Sequence, residues 1–393
     1  MHVSRRQLVA GGIATLISAN SQAQTPAQTA TLLIDAEFSQ PSSTSAQAIK
    51  LGADIALEEI SSTGYLGNLN LQLRSSDNRG VPAISVDNVM DAAKDPSLIA
   101  VMGGKFSPVQ IELVPHVSKL GIMLLNPWGS ADAITDHGIS PSWTFRVSLK
   151  DEFAAAAFVR EARRRNANRI GLILPRTAWG RSIATALGKH ARENNLQIAG
   201  EVWYSFGEKS LIEQYRSLRQ NGADLIVLVA NELEGAILVR ELAALPVAER
   251  KPVLSHWGIT GGAFESLAGE ALYDLDWSVI QTFSFQRPRT EVAKSLLQKV
   301  QQRLNVSRIA EIESVCGLAH GFDLTWLLAK AVRQAGRVDR PSVRTEMEKL
   351  GPFQGAVRNY DRPFTPNRQD ALDETDTFFA RYIRGNGLVP VDG

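Results

Sequence analysis

The chain has 393 residues, 44% of them apolar and 21% charged, the make-up of an ordinary globular protein, which excludes wholesale disorder and a collagen-like fibre. Lysine and arginine together number 42 against 41 acidic residues, a net charge of +1, so no overall basic field exists to hold a phosphate backbone and nucleic acid is not an expected partner. One cysteine rules out an intramolecular disulfide or a Cys-based metal cluster, and a chain this long can hold its fold by core burial alone.

The N-terminus carries Ser4-Arg5-Arg6-Gln7-Leu8, then an uncharged apolar or small stretch from Leu8 to Ala19, then the small-x-small triplet Ser21-Gln22-Ala23. Those are the three parts of a secretory signal, and the paired arginines resemble the twin-arginine export signature. An ordinary Sec signal is the alternative. A membrane span needs about 20 apolar residues, so this shorter run does not predict one in the mature protein. Residues 1–23 are therefore expected to be a removed signal peptide. Their loss takes away Arg5 and Arg6 and no acids, bringing the net charge from +1 to −1. No cysteine follows the cleavage site, which excludes a lipid anchor there.

After a polar linker, strand and helix patterns alternate. Thr31 to Asp35 reads as a strand. Ser42 to Ser45 offers a helix cap, and Ile49, Ala53, Ala56 and Ile60 form one helix face. Leu69 to Leu73 reads as a strand, Val81 to Ala93 as a helix, Ser97 to Val101 as a strand and Val109 to Leu120 as a helix. Gly121 to Leu125 is a buried strand. Trp143 to Val147, within the segment Ser140 to Lys150, is an extended run suited to crossing between two lobes. The alternation restarts with strands at Arg169 to Leu174, Ile198 to Trp203, Ala223 to Val229 and Pro252 to Ser255. Helices at Gly180 to Asn194, Leu211 to Asn221 and Leu233 to Leu245 lie between them. Strands apolar on both faces imply parallel sheets covered by helices on each side, an α/β fold. Helices follow at Thr290 to Leu304, Cys316 to Ala335 and Pro341 to Leu350, and short strands at Gln354 to Arg358 and Thr377 to Tyr382.

In open parallel sheets, ligands bind beyond the carboxyl ends of the strands. The residues there are Phe38-Ser39, Asp77-Asn78, Lys105-Phe106-Ser107, Trp128-Gly129-Ser130, Arg176 with Trp179, Asn231-Glu232 and His256-Trp257. Three tryptophans in this set can clamp an apolar or planar ligand, or simply cover the sheet edge. Ser107 and Ser130 can cap helices, or can join free N–H groups at a helix N-terminus to receive a carboxylate. No nucleophile elbow, P-loop, dinucleotide fingerprint or zinc-protease motif occurs. The six histidines have no ligand-like spacing, so no cofactor, metal site or catalytic residue is expected. A secreted hydrolase is the remaining enzyme alternative.

Taken in order, Phe38 to Ser45, Gly52-Ala53-Asp54-Ile55-Ala56, Asp77-Asn78, Gly103-Gly104-Lys105-Phe106-Ser107, Gly121 through Ser130, Trp179-Gly180 and Gly351-Pro352-Phe353-Gln354-Gly355 form a pattern over about 300 residues. It resembles the solute-binding proteins of ABC importers of the branched-chain amino acid and amide type, which have the type I periplasmic binding protein fold. The resemblance implies two Rossmann-like lobes with parallel central sheets on a three-crossover hinge. One lobe is expected from residues 24–147 plus 285–352, the other from 148–284 plus 353–393. It implies a periplasmic protein that closes on a small-molecule ligand and presents it to an inner-membrane ABC permease, or delivers its closed state to a receptor or kinase. The ligand carboxylate would be held by Ser107, Ser130 and backbone near Trp128. Trp179 would line the cleft from the second lobe, with Phe106 and Asn231 completing the set. Where amino acid binders place an acid for the ligand ammonium, this chain has Trp257. Either Glu232 or another acid replaces it, or the ligand has no α-amine and packs a planar or apolar body on tryptophan.

Overall fold

The computed structural model describes residues 28–391; the expected signal peptide, residues 1–23, lies outside them. The first half-chain runs β1 (Gln28–Ala36), α1 (Ser45–Ser62), β2 (Leu69–Asp77), α2 (Pro82–Ala92), β3 (Leu98–Gly103), α3 (Ser107–Leu120), β4 (Met123–Asn126) and β5 (Thr144–Arg146). These strands form one parallel sheet in the order β2-β1-β3-β4-β5. The second series is α4 (Asp151–Arg164), β6 (Arg169–Pro175), α5 (Ala178–Glu193), β7 (Gln197–Tyr204), α6 (Ile212–Gln220), β8 (Leu225–Leu228), α7 (Glu232–Ala243), β9 (Val253–Ser255), α8 (Phe264–Ala268) and β10 (Trp277–Gln281). The chain then forms α9 (Glu291–Leu304), α10 (Val315–Ala335), α11 (Arg340–Met347), a hairpin of β11 (Phe353–Gln354) and β12 (Asn359–Tyr360), and β13 (Phe378–Ile383) and β14 (Gly387–Pro390). The second sheet has the order β14-β13-β10-β9-β8-β6-β7, parallel from β10 to β7, with β13 and β14 antiparallel at one edge.

The all-apolar strands behave as their composition dictates. Every residue of β3, β4 and β8 is buried, because helices cover both faces. The face of α1 read from its spacing, Ile49, Ala53, Ala56 and Ile60, is buried. It packs on α10 so closely that a Cβ at Gly52 would stand 2.0 Å from the Leu318 carbonyl oxygen, and one at Gly321 2.6 Å from that of Ile49. This contact carries α10 back to the first sheet, although it follows the second in sequence.

The α1 cap falls within the expected stretch Ser42 to Ser45, and one expected strand is not formed as read. Thr44 is the N-cap of α1 and makes no side-chain cap bond. The Ser45 hydroxyl instead donates to Glu37 at 2.5 Å, and that of Ser43 to the Gly261 carbonyl at 3.1 Å; a buried acid and the lobe boundary take the hydroxyls a cap would use. Of the expected strand Gln354 to Arg358 only Gln354 lies in a strand, at the end of β11; residues 355–358 are the turn of the β11–β12 hairpin. The β11–β12 hairpin is tied to α10. The carboxylate of Asp323 on α10 accepts the backbone N–H groups of Ala356 and Val357 and the Tyr360 hydroxyl, at 2.6, 3.0 and 2.7 Å. Burial pushes that carboxyl up to about 7 against these three bonds.

Residues 147–150 join β5 of the first sheet to α4, residues 282–290 join β10 of the second sheet to α9, and residues 361–377 join β12 to β13. Arg146, fully buried, ties the first passage to the third. Its Nε donates to Asp370 at 2.5 Å, its Nη2 to Thr135 at 2.6 Å and its Nη1 to the Ala131 carbonyl at 2.9 Å. Its backbone N–H and carbonyl pair with Gln369 and Ala371. Burial alone would raise the Asp370 carboxyl; Arg146 and Lys150 outweigh it and hold that carboxyl below its ordinary value. Among the described residues no helix is long and apolar enough to cross a membrane.

Candidate ligand-binding cleft

The carboxyl ends of both sheets face each other across the lobe boundary. A single cavity there is lined by Phe106, Ser107, Trp128 and Ser130 from one side and by Trp179, Asn231 and Trp257 from the other. All seven residues singled out in the sequence therefore meet. Phe38, Ser39, Asp77, Asn78 and Arg176, also at strand ends, do not line it. Lys105, Pro108, Thr177, Phe206 and Gly258 complete the wall.

The lobes are closed on one another. Trp128 and Trp257 lie 5.3 Å apart between ring centroids, the Thr44 N–H reaches the Gly261 carbonyl at 2.9 Å, and the Asp132 N–H reaches Ser182 at 3.0 Å. The space left is about 20 Å³, room for one water, so a larger guest enters only when the lobes part. A cavity of about 80 Å³ lies elsewhere between the lobes, lined by Glu265, Gln281, Glu313 and Tyr382 among others. None of the seven residues reaches it.

The site has a polar and an apolar half. Three helices start on the cavity: α3 at Ser107, α5 after its N-cap Thr177, and α7 after its N-cap Asn231. Each turns the positive end of its dipole toward the cavity, which favours an anion, and in α5 the Thr177 hydroxyl already accepts the Gly180 N–H at 3.3 Å. The Ser107 oxygen accepts the N–H groups of Ser130 and Ala131 at 3.1 and 3.2 Å, so it fixes the loop bearing Ser130 and keeps its own proton to donate. The apolar half is Phe106, Trp128, Trp179, Phe206 and Trp257. The Trp179 indole N–H is buried without a partner among the described residues, a donor left for a guest or a water.

Packing behind the cavity sets these rings. The Asn126 side chain accepts the Trp128 N–H at 3.0 Å. His320 on α10 bonds the adjacent Pro127 carbonyl through Nδ1 at 2.7 Å and Thr282 through Nε2 at 3.1 Å. Burial lowers His320 to about 4, against the opposing pull of the Pro127 carbonyl. It is neutral at physiological pH, with Nδ1 carrying the proton and Nε2 accepting from Thr282. Trp179 stands edge-on to His256 at 5.0 Å, and His256 is bonded to Asp151 at 3.2 Å.

The two alternatives left by Trp257 can now be compared. Glu232 is not free to receive an ammonium. Lys105 donates to both of its oxygens, at 3.0 and 2.8 Å, and Ser42 to one at 3.0 Å. Lys105 stood in the strand-end set without a role, and nothing local to it signals a partner 127 residues away. Phe206 follows β7, the edge strand whose end the sequence reading passed over. Among the described residues no group of His, Cys, Asp and Glu could hold a metal ion.

The family model described as periplasmic binding protein matches residues 36–382. A structure of a periplasmic binding protein type 1 from Bordetella pertussis Tohama I superposes with a TM-score of 0.82 at 17% identity, covering 93% of this chain and 100% of that one. The branched-chain amino acid substrate-binding protein LivJ of Streptococcus pneumoniae, in complex with isoleucine, gives 0.77 at 18%, covering 93% and 100%. An ABC transporter solute-binding protein of R. palustris, in complex with 4-hydroxybenzoate, gives 0.77 at 13%, covering 93% and 96%. At these identities the likeness is one of fold. Glutamate receptor 1.2 of Arabidopsis thaliana is 22% identical over 313 residues, 75% of this chain, which spans about a third (34%) of that receptor. Proteins of this family and fold bind ligands rather than transform them. The chain belongs to the periplasmic binding proteins and has their type I fold.

Proposed function

We propose that this protein is exported to the periplasm, captures a small aromatic carboxylate lacking an α-amine, and delivers it to an inner-membrane ABC permease. One observation carries the reading. The cavity combines three helix N-termini and the Ser107 hydroxyl with five aromatic rings, while among the described residues the one acid bonded to a lining side chain, Glu232, is already engaged by Lys105. An anionic head and a flat apolar body fit these two halves; a buried ammonium finds no free carboxylate. The R. palustris protein with its 4-hydroxybenzoate offers a precedent on the same fold.

Mechanistically the protein is a two-state hinge. Ser107, Ser130, Phe106 and Trp128 belong to one jaw; Trp179, Asn231 and Trp257 belong to the other. A guest touching both binds the closed state better and shifts the population toward it, and the permease reads that closed shape. Export rests on the Arg5-Arg6 leader and on the family. A thermal-shift screen of benzoate, 4-hydroxybenzoate, phenylalanine and leucine tests the ligand class, because a bound ligand raises the melting point by mass action. Uptake of the hit in cells lacking this protein tests delivery. Stabilisation by the amino acids alone would overturn the proposal. The match to a plant receptor favours a second reading, a ligand sensor. In that case uptake would be normal without the protein and a ligand-dependent response would be lost.

A further inference from the structure

One charge pair is built across the cavity wall. Lys105 follows β3 on one lobe and lines the cavity; Glu232 opens α7 on the other. Their side chains keep 2% and 4% of their exposure. Gly261 makes room for the lysine: a Cβ there would stand 3.1 Å from Lys105 Cδ, 3.2 Å from its Nζ and 3.5 Å from Trp128. The ammonium therefore sits beside a ring that bounds the guest, 5.3 Å from the centroid of the Phe106 ring. Its two bonds to Glu232 and the Ser42 bond occupy the groups a zwitterionic or doubly charged guest would need.

We propose that the Lys105–Glu232 pair sets the charge class of the ligand, admitting a monocarboxylate and rejecting both α-amino acids and dicarboxylates. This rests on the aromatic carboxylate reading above and adds the residues that enforce it. The pair cancels its own charge within the wall, so the guest's single negative charge is left to the helix N-termini and serines. An amino acid must take Glu232 from Lys105, leaving a lysine buried and unpaired; a second carboxylate must take Lys105 from Glu232, leaving the acid so. Either exchange exposes an uncompensated buried charge, which costs far more than an intact pair contributes. The discrimination thus comes from the penalty on the wrong guest. Removing one partner reverses the logic: the charge left behind becomes a vacancy for a guest of opposite sign.

Titration calorimetry on the full mature protein tests this with wild type, Lys105→Met, Glu232→Gln and the double variant. The probes are benzoate, phenylalanine and terephthalate, with 4-methylpentanoate and leucine as an aliphatic pair. Wild type is expected to bind the amine-free monocarboxylate of a pair at least about tenfold tighter than its amino acid. Lys105→Met should shift the phenylalanine-to-benzoate ratio toward phenylalanine by about tenfold or more, and Glu232→Gln the terephthalate-to-benzoate ratio toward terephthalate by as much. The double variant, neutral again, should return both ratios to within about threefold of wild type. It also serves if a single variant fails to fold. Single variants that keep the wild-type ratios, or a double variant that does not restore them, would overturn the role of the pair while leaving the aromatic reading intact. Tighter binding of 4-methylpentanoate than benzoate by wild type would overturn the aromatic reading and leave the pair's role standing. Preference of wild type for phenylalanine or leucine, or binding of none of the five probes, would overturn both.

Discussion

Replacing Asp132 by asparagine should flatten the pH dependence of stability. Asp132 sits in the loop after β4, against the start of α4. It is half-buried, and its carboxylate accepts the Glu152 N–H at 3.0 Å. Burial first, and the neighbouring Asp151 second, push it up to about 7; the Glu152 N–H, Arg146 and Lys150 oppose the rise without cancelling it. Lys189, facing it from α5, feels its charge in turn. The unfolded value is 3.8, so the folded protein holds this proton more tightly. The stability that Asp132 contributes is then complete below about pH 4 and lost as pH rises through 7. Three units correspond to at most about 4 kcal/mol. Solvent screening of a half-buried carboxyl reduces this to about 1–2 kcal/mol. Urea unfolding at pH 5 and pH 8 measures it as the difference between wild type and Asp132→Asn. Asp323, raised to about 7, and His320, lowered to about 4, titrate in both proteins and cancel from that difference. The variant should gain on wild type by about 1–2 kcal/mol at pH 8 relative to pH 5. An equal difference at both pH values would refute the reasoning.

Two further predictions concern the cleft. Ser107→Ala removes a donor to a charged group, about 1.5–3 kcal/mol or roughly 10- to 150-fold in benzoate affinity by calorimetry, and lowers the melting point because the Ser130 and Ala131 N–H groups lose their acceptor; unchanged affinity would place the carboxylate elsewhere. Gly317→Ala on α10 puts a Cβ 2.5 Å from the Trp128 ring. The ring must move toward the cavity, at about 1–3 kcal/mol of overpacking, and affinity should fall by about tenfold or more, so an unaltered Kd would show that Trp128 does not bound the guest.

Much of the architecture was legible because it is local. Alternating apolar strands and amphipathic helices give the parallel sheets, and the rule that parallel sheets bind at their carboxyl ends led to seven residues that do share a cavity. What was missed depends on distance or on weak local pattern. The Ala154–Ala157 run in α4 has no periodicity to mark a face, and residues 151–168 carried no expected element. Strand β10, Trp277–Gln281, is short and wholly buried, a pattern that short apolar runs do not resolve. Asp323 pins the β11–β12 hairpin at Ala356 and Tyr360, a contact over more than 30 residues that no local pattern announces. The engagement of Glu232 by Lys105 is likewise a product of lobe closure, and no spacing in the sequence encodes it.

The account stands or falls on where the guest sits. A crystal structure of the mature protein grown with benzoate should place the carboxylate within about 3.2 Å of the Ser107 hydroxyl and the ring among Trp128, Trp179 and Trp257, with Lys105 still bonded to Glu232. Benzoate in the cavity beside Glu265 and Glu313 instead, or with its carboxylate turned away from α3, would contradict it.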